Sequence, residues 1–161
     1  MSAQLVWDSD DWRIERDRRQ LAWMMGNHQA VEVVTRLSHI AELWDDIIDG
    51  DRKATDTEVN FAFESALIHL QTNPFYMRNH ATIMAVIVLA VNAWHDANEY
   101  QKSGDADQRM QAFYLRNFGI ELSMICAFCV GGYEHLRAVS GEIRDFFRRE
   151  SFTTWEHRHV H

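Results

Sequence analysis

The sequence predicts an all-α protein, a single domain built as a bundle of about six helices with a buried central fourth helix. One proline and seven glycines in 161 residues leave little material for turns, so long helices are expected. Apolar residues recur at spacings of three and four, whereas the alternation typical of strands does not persist anywhere. No linker divides the chain, so residues 1–161 are expected to form one helical domain with a polar tail from about residue 151.

The first three predicted helices have recognisable ends. The first covers about residues 10–25 and stops before a Gly-Asn pair. The second covers about residues 28–48 and is closed by Gly50, since glycine favours the left-handed conformation that ends a helix. The third starts at the capping box Thr-Asp-Thr-Glu of residues 55–58 and continues to about residue 71. This half of the chain therefore reads as three helices with short connections.

The second half of the chain reads as three longer helices. A fourth helix opens at Asn73-Pro74 and runs to about residue 102, with a possible break near residue 79. Its segment 81–91 is apolar nearly all round, which is typical of a helix buried in the middle of a bundle. A fifth helix covers about residues 107–130, and after two glycines a sixth covers about residues 133–150.

The charge of the chain limits the function classes. A net charge of −8 argues against general nucleic-acid binding, which normally requires a basic face. The amino terminus has no basic stretch followed by an apolar one, and the most apolar run is shorter than the roughly 20 residues that span a bilayer. We therefore expect a cytoplasmic protein with no membrane association.

An acidic run at the end of the second helix is the strongest candidate for a site. Asp45, Asp46, Asp49 and Asp51 fall within seven residues, although like charges one turn apart repel each other on a helix. A divalent cation such as Mg²⁺ would turn that repulsion into coordination. Asp45 and Asp49 lie one turn apart and reach one ion together, with Glu42 a turn behind. The alternative is a solvated acidic helix end.

A polar stripe on the fourth helix is the second candidate. Asn92, His95, Asp96 and Glu99 share one face of a helix that is otherwise apolar, where isolated charges are costly unless they are paired or bound to metal. We therefore predict Asp45, Asp49, Asp96 and Glu99 as metal ligands. His95 is predicted as a proton carrier, and Glu42 as a further ligand or a base. The alternative is that the fourth helix simply emerges into solvent here.

The fifth helix carries two further polar features. Glu121 is the only charge between residues 118 and 133, so it should have a partner, for which an arginine is the obvious candidate, or a raised pKa. Cys126 and Cys129 form one C-x-x-C pair in an apolar stretch. One pair does not complete a four-cysteine zinc site, so small buried core residues are the better interpretation.

Two families carry similar motifs. The run Asp45-Asp46-Ile47-Ile48-Asp49 resembles the D-D-x-x-D motif of isoprenoid diphosphate synthases, which implies Mg²⁺ and a substrate diphosphate at Asp45 and Asp49. The pairs Glu42-x-x-Asp45 and Asp96-x-x-Glu99 are similar to the E-x-x-E and E-x-x-D helices of all-α nucleoside triphosphate pyrophosphohydrolases. Both likenesses rest on a few residues, and the acids differ from the second pattern.

Two functions follow as hypotheses. The first is a Mg²⁺-dependent enzyme acting on a diphosphate-containing small molecule, in which acids of two antiparallel helices hold the metal and arginines complete substrate binding. The second is a non-catalytic helical interaction module, such as a viral or bacterial accessory factor, because aromatic and methionine side chains are enriched at interfaces. The aromatic residues of the first helix favour a homodimer in either case.

Overall fold

A computed structural model describes residues 10–50, 52–148 and 151–160, with the backbone alone for residues 158–160. In chain order its helices are α1 (Asp10–Trp23), α2 (His28–Asp49), α3 (Asp56–Glu64), the π-helical turn π1 (Ser65–His69), α4 (Leu70–Thr72), α5 (Pro74–Tyr100), α6 (Ala106–Leu115), α7 (Phe118–Phe147) and α8 (Phe152–Val160). All regular structure in these residues is helical. The predicted single-domain all-α bundle is therefore confirmed.

The second and third predicted helices form an antiparallel pair. Gly50 adopts the left-handed conformation (φ 72°) that closes α2, and the capping box of Thr55 and Glu58 opens α3. Because α3, π1 and α4 follow one another without a break, they form the single helix that was predicted for about residues 55–71. The guanidinium of Arg36 on α2 donates to the hydroxyl of Ser65 on π1 at 2.9 Å, which holds the two helices together.

The helices α2 and α5 run parallel to each other. At their amino-terminal ends the Asn73 side chain donates to the carbonyl of Gln29 at 3.1 Å. Towards their carboxyl ends the indole of Trp94 donates to the carboxylate of Asp45 at 2.6 Å. The predicted antiparallel arrangement of these two helices is therefore wrong, because the continuous helix from α3 to α4 returns the chain before α5 begins.

The helix α7 folds back on itself at Gly132, whose φ of 75° and ψ of −171° lie outside the helical range. The two arms are antiparallel, since Asn117 contacts Phe147 at 3.5 Å and Glu121 contacts Arg144 at 3.4 Å. A straight helix would separate Glu121 and Arg144 by about 35 Å. The predicted helix break at Gly131-Gly132 is therefore confirmed.

The central helix of the bundle is α2. It contacts α1, α3, π1, α5 and α7, and its Val33 and Val34 are fully buried. The main core gathers apolar residues from α2, α4, α5 and the first arm of α7 around them, and Cys126 lies in it as predicted. Burial raises the pKa of the Cys126 thiol. A smaller core joins α1 to the second arm of α7 through Trp12, Trp23 and Ile143.

The prediction that the fourth helix is buried centrally is wrong. That helix, α5, packs against its neighbours on one side only. Val88 is 60% exposed and Leu89 is 71% exposed, although both lie in its most apolar segment. Because this segment is apolar nearly all round, its sequence does not indicate which of its faces the other helices cover.

By length and composition, α5 is also the one helix among the described residues that could cross a membrane. Only 17% of its most apolar 18-residue window is buried. A single helix of this kind is weak evidence for a membrane span, so the absence of membrane contact stays a prediction.

Two features of the carboxyl-terminal half differ from the prediction. The predicted fifth helix is divided at Arg116-Asn117 into α6 and α7. The expected polar tail contains the helix α8 instead, whose Trp155 is buried against Ala97 of α5 and Ala112 of α6. Phe152 and Trp155 lie one turn apart, so both aromatic rings reach the same cluster.

Candidate functional site

The acidic end of α2 is joined to the α6–α7 corner by one arginine. The guanidinium of Arg116 contacts the carboxylate of Asp45 at 3.0 Å and that of Asp49 at 2.8 Å. The side chain of Arg116 is only 14% exposed, whereas those of Asp45 and Asp49 are 38% and 32% exposed. The cation that these two carboxylates share in the structure is therefore a guanidinium.

Two further side chains complete this cluster. The indole N–H of Trp94 on α5 donates to the same Asp45 oxygen that Arg116 contacts, and Arg116 also donates to the side-chain oxygen of Gln101. We call Asp45, Asp49, Arg116 and Trp94 the α2 brace. Because its members belong to α2, α5 and the α6–α7 corner, the brace ties three parts of the bundle together.

The remaining described acid of the run, Asp46, turns away from the brace. It contacts Arg52 at 2.8 Å, and Arg52 also contacts Glu58 at the start of α3. Hydrogen bonds from Arg52 and from the backbone and hydroxyl of Thr55 lower the pKa of Glu58 to about 2. Asp51, the last acid of the run, lies outside the described residues.

A cleft of about 920 Å³ opens beside the brace, between α2, the α6–α7 corner, the end of α7 and α8. This volume is within the range of sites that bind small molecules. Its lining carries both negative and positive charge. The acids are Glu42, Asp45, Asp46, Asp49 and Asp145, and the arginines are Arg16, Arg116, Arg144 and Arg148. The predicted residues Glu42, Asp45 and Asp49 are therefore brought together along one wall.

The other predicted site residues are not part of this lining. Asp96 accepts a hydrogen bond from Asn92 at 3.1 Å, one turn away on the same helix. The ring of His95 packs edge-on against Trp94, with ring centres 5.0 Å apart, and the rest of the side chain is exposed. Glu99 is exposed as well. The alternative interpretation, in which the fourth helix emerges into solvent here, describes these residues better.

In the parts of the chain that the structure describes, no three His, Cys, Asp or Glu side chains lie close enough together to hold a metal ion. Asp45 and Asp49 already share the guanidinium of Arg116, so a metal ion bound between them would have to replace it. A magnesium site that includes Asp96 and Glu99 stays a prediction from the sequence.

The arginines of α1 are largely paired with acids of the same helix. Glu15 accepts from Arg18 at 2.7 Å and from Arg19 at 2.6 Å, and Arg16 contacts Asp17 at 2.9 Å. The hydrogen bonds from Arg18 and then Arg19 lower the pKa of Glu15 to about 2. Only Arg16 among these arginines lines the cleft.

Glu121 has the kind of partner that the sequence predicts. It contacts Arg144 on the opposite arm of α7 at 3.4 Å, and both side chains are more than half exposed. Arg116, by contrast, was not singled out from the sequence. No strong local signal marks this residue, because its role depends on the division between α6 and α7 and on its contacts with α2.

The outward face of α5 is the other prominent feature. Its positions recur alternately at spacings of three and four and are all exposed; we call this set the α5 stripe, and its members are Arg78, Ala81, Ala85, Val88, Asn92, His95 and Glu99. At 100° per residue they cover about 100° of the helix surface. The exposed residues Met77 and Leu89 flank the stripe. Three of its members, Ala81, Ala85 and Val88, are apolar and follow the spacing of residues in a seam between paired helices.

Comparison with known proteins gives no relative. No family model matches the chain, and no curated protein or solved structure matches it either.

Proposed function

We propose that this protein is a non-catalytic helical interaction module that binds another polypeptide chain through the α5 stripe. The observation that carries the proposal is the exposure of the most apolar helix: only 17% of its most apolar window is buried. Apolar residues scattered singly on a surface need no explanation, but the exposed Ala81, Ala85, Val88 and Leu89 are neighbours on this helix, and an exposed apolar patch marks an interaction site.

The composition of the stripe supports a protein partner. Its amino-terminal half contains Ala81, Ala85 and Val88, which are small enough for another helix to approach closely. Arg78 precedes this apolar part, and the polar residues Asn92, His95 and Glu99 follow it, so the apolar part is framed by polar groups as in the interfaces of soluble proteins. Amphipathic helices of other proteins bind grooves and helix faces of this kind.

A photo-crosslinking experiment in the native cell tests this function. A photoreactive amino acid replaces Val88, and in a matched control variant it replaces Tyr133, which is 62% exposed on α7 outside the stripe. We expect a polypeptide adduct from position 88 and none from position 133. Absence of any adduct at position 88, or equal adducts at both positions, would show that the α5 stripe binds no protein.

The cleft supports a second candidate, the Mg²⁺-dependent enzyme acting on a diphosphate-containing molecule. The specific observation is that Glu42, Asp45 and Asp49 line the same cavity as Arg144 and Arg148, so a metal–diphosphate complex would meet both signs of charge. Aromatic side chains, among them Trp155, supply apolar wall for the rest of such a molecule.

Calorimetric titration with inorganic pyrophosphate, in the presence and absence of Mg²⁺, tests the second candidate. We expect heat of binding that requires Mg²⁺ in the wild type and is weakened by Glu42→Gln. The control variant is Glu134→Gln, an exposed acid of α7 that does not line the cleft. The candidate is rejected by an absence of Mg²⁺-dependent heat in the wild-type protein.

A further inference from the structure

We infer that the partner of the α5 stripe is a second copy of this chain, and that two α5 helices pack antiparallel about a two-fold axis next to Val88 and Leu89. The inference rests on the proposed function, because it uses the same stripe, and it adds the identity and orientation of the partner. Homodimers with two-fold symmetry are the commonest oligomers of soluble proteins.

The first argument is the spacing of the stripe. Its seven positions follow the alternating three–four repeat from Arg78 to Glu99, which is three full heptads. In a two-helix seam apolar residues occupy such a repeat, and in this stripe Ala81, Ala85 and Val88 supply them. The repeat lies on the outward side of α5, while α2, α4, α6 and α7 pack against the rest of this helix. A helix from outside the chain is therefore the missing half of the seam.

The second argument is charge complementarity. Arg78 stands at one end of the stripe and Glu99 at the other, about 32 Å apart along the helix. Within the described residues neither side chain has an ion pair or a hydrogen bond. In an antiparallel pair each Arg78 meets the Glu99 of the other copy, so one contact, repeated by symmetry, satisfies both ends. A parallel pair would place Arg78 against Arg78 and is disfavoured.

The third argument is where the symmetry axis falls. Pairing Arg78 with Glu99 places the axis between Val88 and Leu89, which are 60% and 71% exposed. The most exposed apolar part of α5 thereby becomes the centre of the interface. The same register sets Ala85 of one copy opposite Asn92 of the other, and Ala81 opposite Asp96, so at these two levels a small residue faces a larger polar one. Apolar contact at the centre and charge at the ends is the usual layout of a protein interface.

Charge reversal tests the orientation directly. Sedimentation at several protein concentrations and low salt measures the self-association of the wild type, Arg78→Glu, Glu99→Arg and the double variant. Each single variant replaces two attractive contacts with two repulsive ones, so we expect its dimer dissociation constant to rise about tenfold. The double variant restores both contacts with their signs exchanged, and its dissociation constant should return to the wild-type value.

Mixing the two single variants provides a sharper arm of the same experiment. A heterodimer of Arg78→Glu with Glu99→Arg has two attractive contacts, whereas each variant alone has two repulsive ones. We therefore expect the mixture to dimerise with the wild-type constant. Only an antiparallel pairing of two copies gives this outcome. The control variants Arg137→Glu and Glu134→Arg on α7 should dimerise like the wild type, because both residues are exposed outside the stripe.

Other results overturn the inference. The antiparallel α5 pair is excluded if the wild-type protein is monomeric at all concentrations. It is also excluded if neither charge reversal changes the dimer dissociation constant. If position 88 nevertheless crosslinks to a different protein in the cell, the proposed function stands and only the identity of the partner is wrong. If the monomer instead sediments with phosphatidylcholine vesicles and forms no protein adduct, α5 binds membranes, and both proposals fail.

Discussion

The carboxyl end of α2 and the outward face of α5 look alike in the sequence and differ in the structure. Both combine apolar residues with acids on one side of a helix. In the α2 brace the charges meet partners inside the chain, since Arg116 reaches both Asp45 and Asp49. On the α5 stripe, Arg78 and Glu99 have no partner among the described residues. Polar groups satisfied within a chain support its fold, and unsatisfied ones next to apolar surface are available to another molecule.

Position in the bundle explains the difference. Because α2 is contacted by five other elements, most directions around it are occupied, and an arginine from a distant part of the chain lies within reach. By contrast, α5 lies at the edge, and most of its outward face is exposed among the residues that the structure describes. The following predictions break or sharpen this contrast.

The same substitution in the two helices should have very different effects. Val33→Asp places a carboxylate in the fully buried core, and we expect the free energy of unfolding to fall by about 4 kcal/mol. Val88→Asp places it on the exposed stripe and should change the stability of the monomer by less than about 0.5 kcal/mol. Urea denaturation at low protein concentration measures both. Equal losses in the two variants would show that α5 is buried after all.

Removing the arginine of the brace should have the next largest effect. Arg116→Met leaves two carboxylates one turn apart without their shared cation, and we expect a loss of about 2 kcal/mol in the free energy of unfolding. Arg137→Met is the control, since Arg137 is exposed on α7 and should tolerate the change within about 0.5 kcal/mol. An Arg116→Met variant as stable as the wild type would show that the brace does not support the fold. That result would favour a metal site at Asp45 and Asp49.

The turn of α7 allows a matched pair of glycine substitutions. A Cβ at Gly131 would lie 2.6 Å from the ring-bearing carbon of His135, whose imidazole contacts the carbonyl of Trp23 at 2.7 Å. Gly131→Ala should therefore cost about 1–2 kcal/mol in unfolding free energy. Gly141 has nothing within 4 Å, so Gly141→Ala should raise stability by about 0.5 kcal/mol. Thermal denaturation distinguishes the two, and a neutral Gly131→Ala would contradict the crowded turn.

The smallest expected effect is on the stability of the protein at acidic pH. Hydrogen bonds from Arg52 and Thr55 lower the pKa of Glu58 to about 2 from an ordinary 4.5. The contribution of the Glu58 carboxylate to the free energy of unfolding is therefore fully present above about pH 4.5. It is lost as the pH falls towards 2, since the unfolded chain takes up the proton first. Glu58→Gln should flatten the decline in stability over this window, while Glu64→Gln, an exposed acid of the same helix, should leave it unchanged. Unfolding curves at several pH values provide the check.

Much of the fold could be predicted from local signals. The capping box at Thr55, the cap and proline at Asn73-Pro74 and the left-handed Gly50 all lie where the sequence places helix ends, because each acts through hydrogen bonds within a few residues. The helix break at Gly132 belongs to the same class. The division at Arg116-Asn117 was missed, because it lacks a strong local signal and involves contacts with α2.

The candidate site was predictable only in part. The sequence places Glu42, Asp45 and Asp49 on one flank of α2, and they do line the cleft together. Their grouping with His95, Asp96 and Glu99 did not follow, because these three residues do not line the cleft, although the parallel helices place their neighbour Trp94 beside Asp45. Helical periodicity defines which residues share a face, but it carries no information about which neighbour covers that face.

The sequence by itself determined the helical class, most helix ends and the residues that share each face, since these depend on interactions over a few residues. Tertiary structure alone decided that α2 rather than α5 is central, that Arg116 pairs with Asp45 and Asp49, and that the outward face of α5 is exposed. Each of these depends on contacts between residues far apart in the chain, whose geometry is set by how the helices pack.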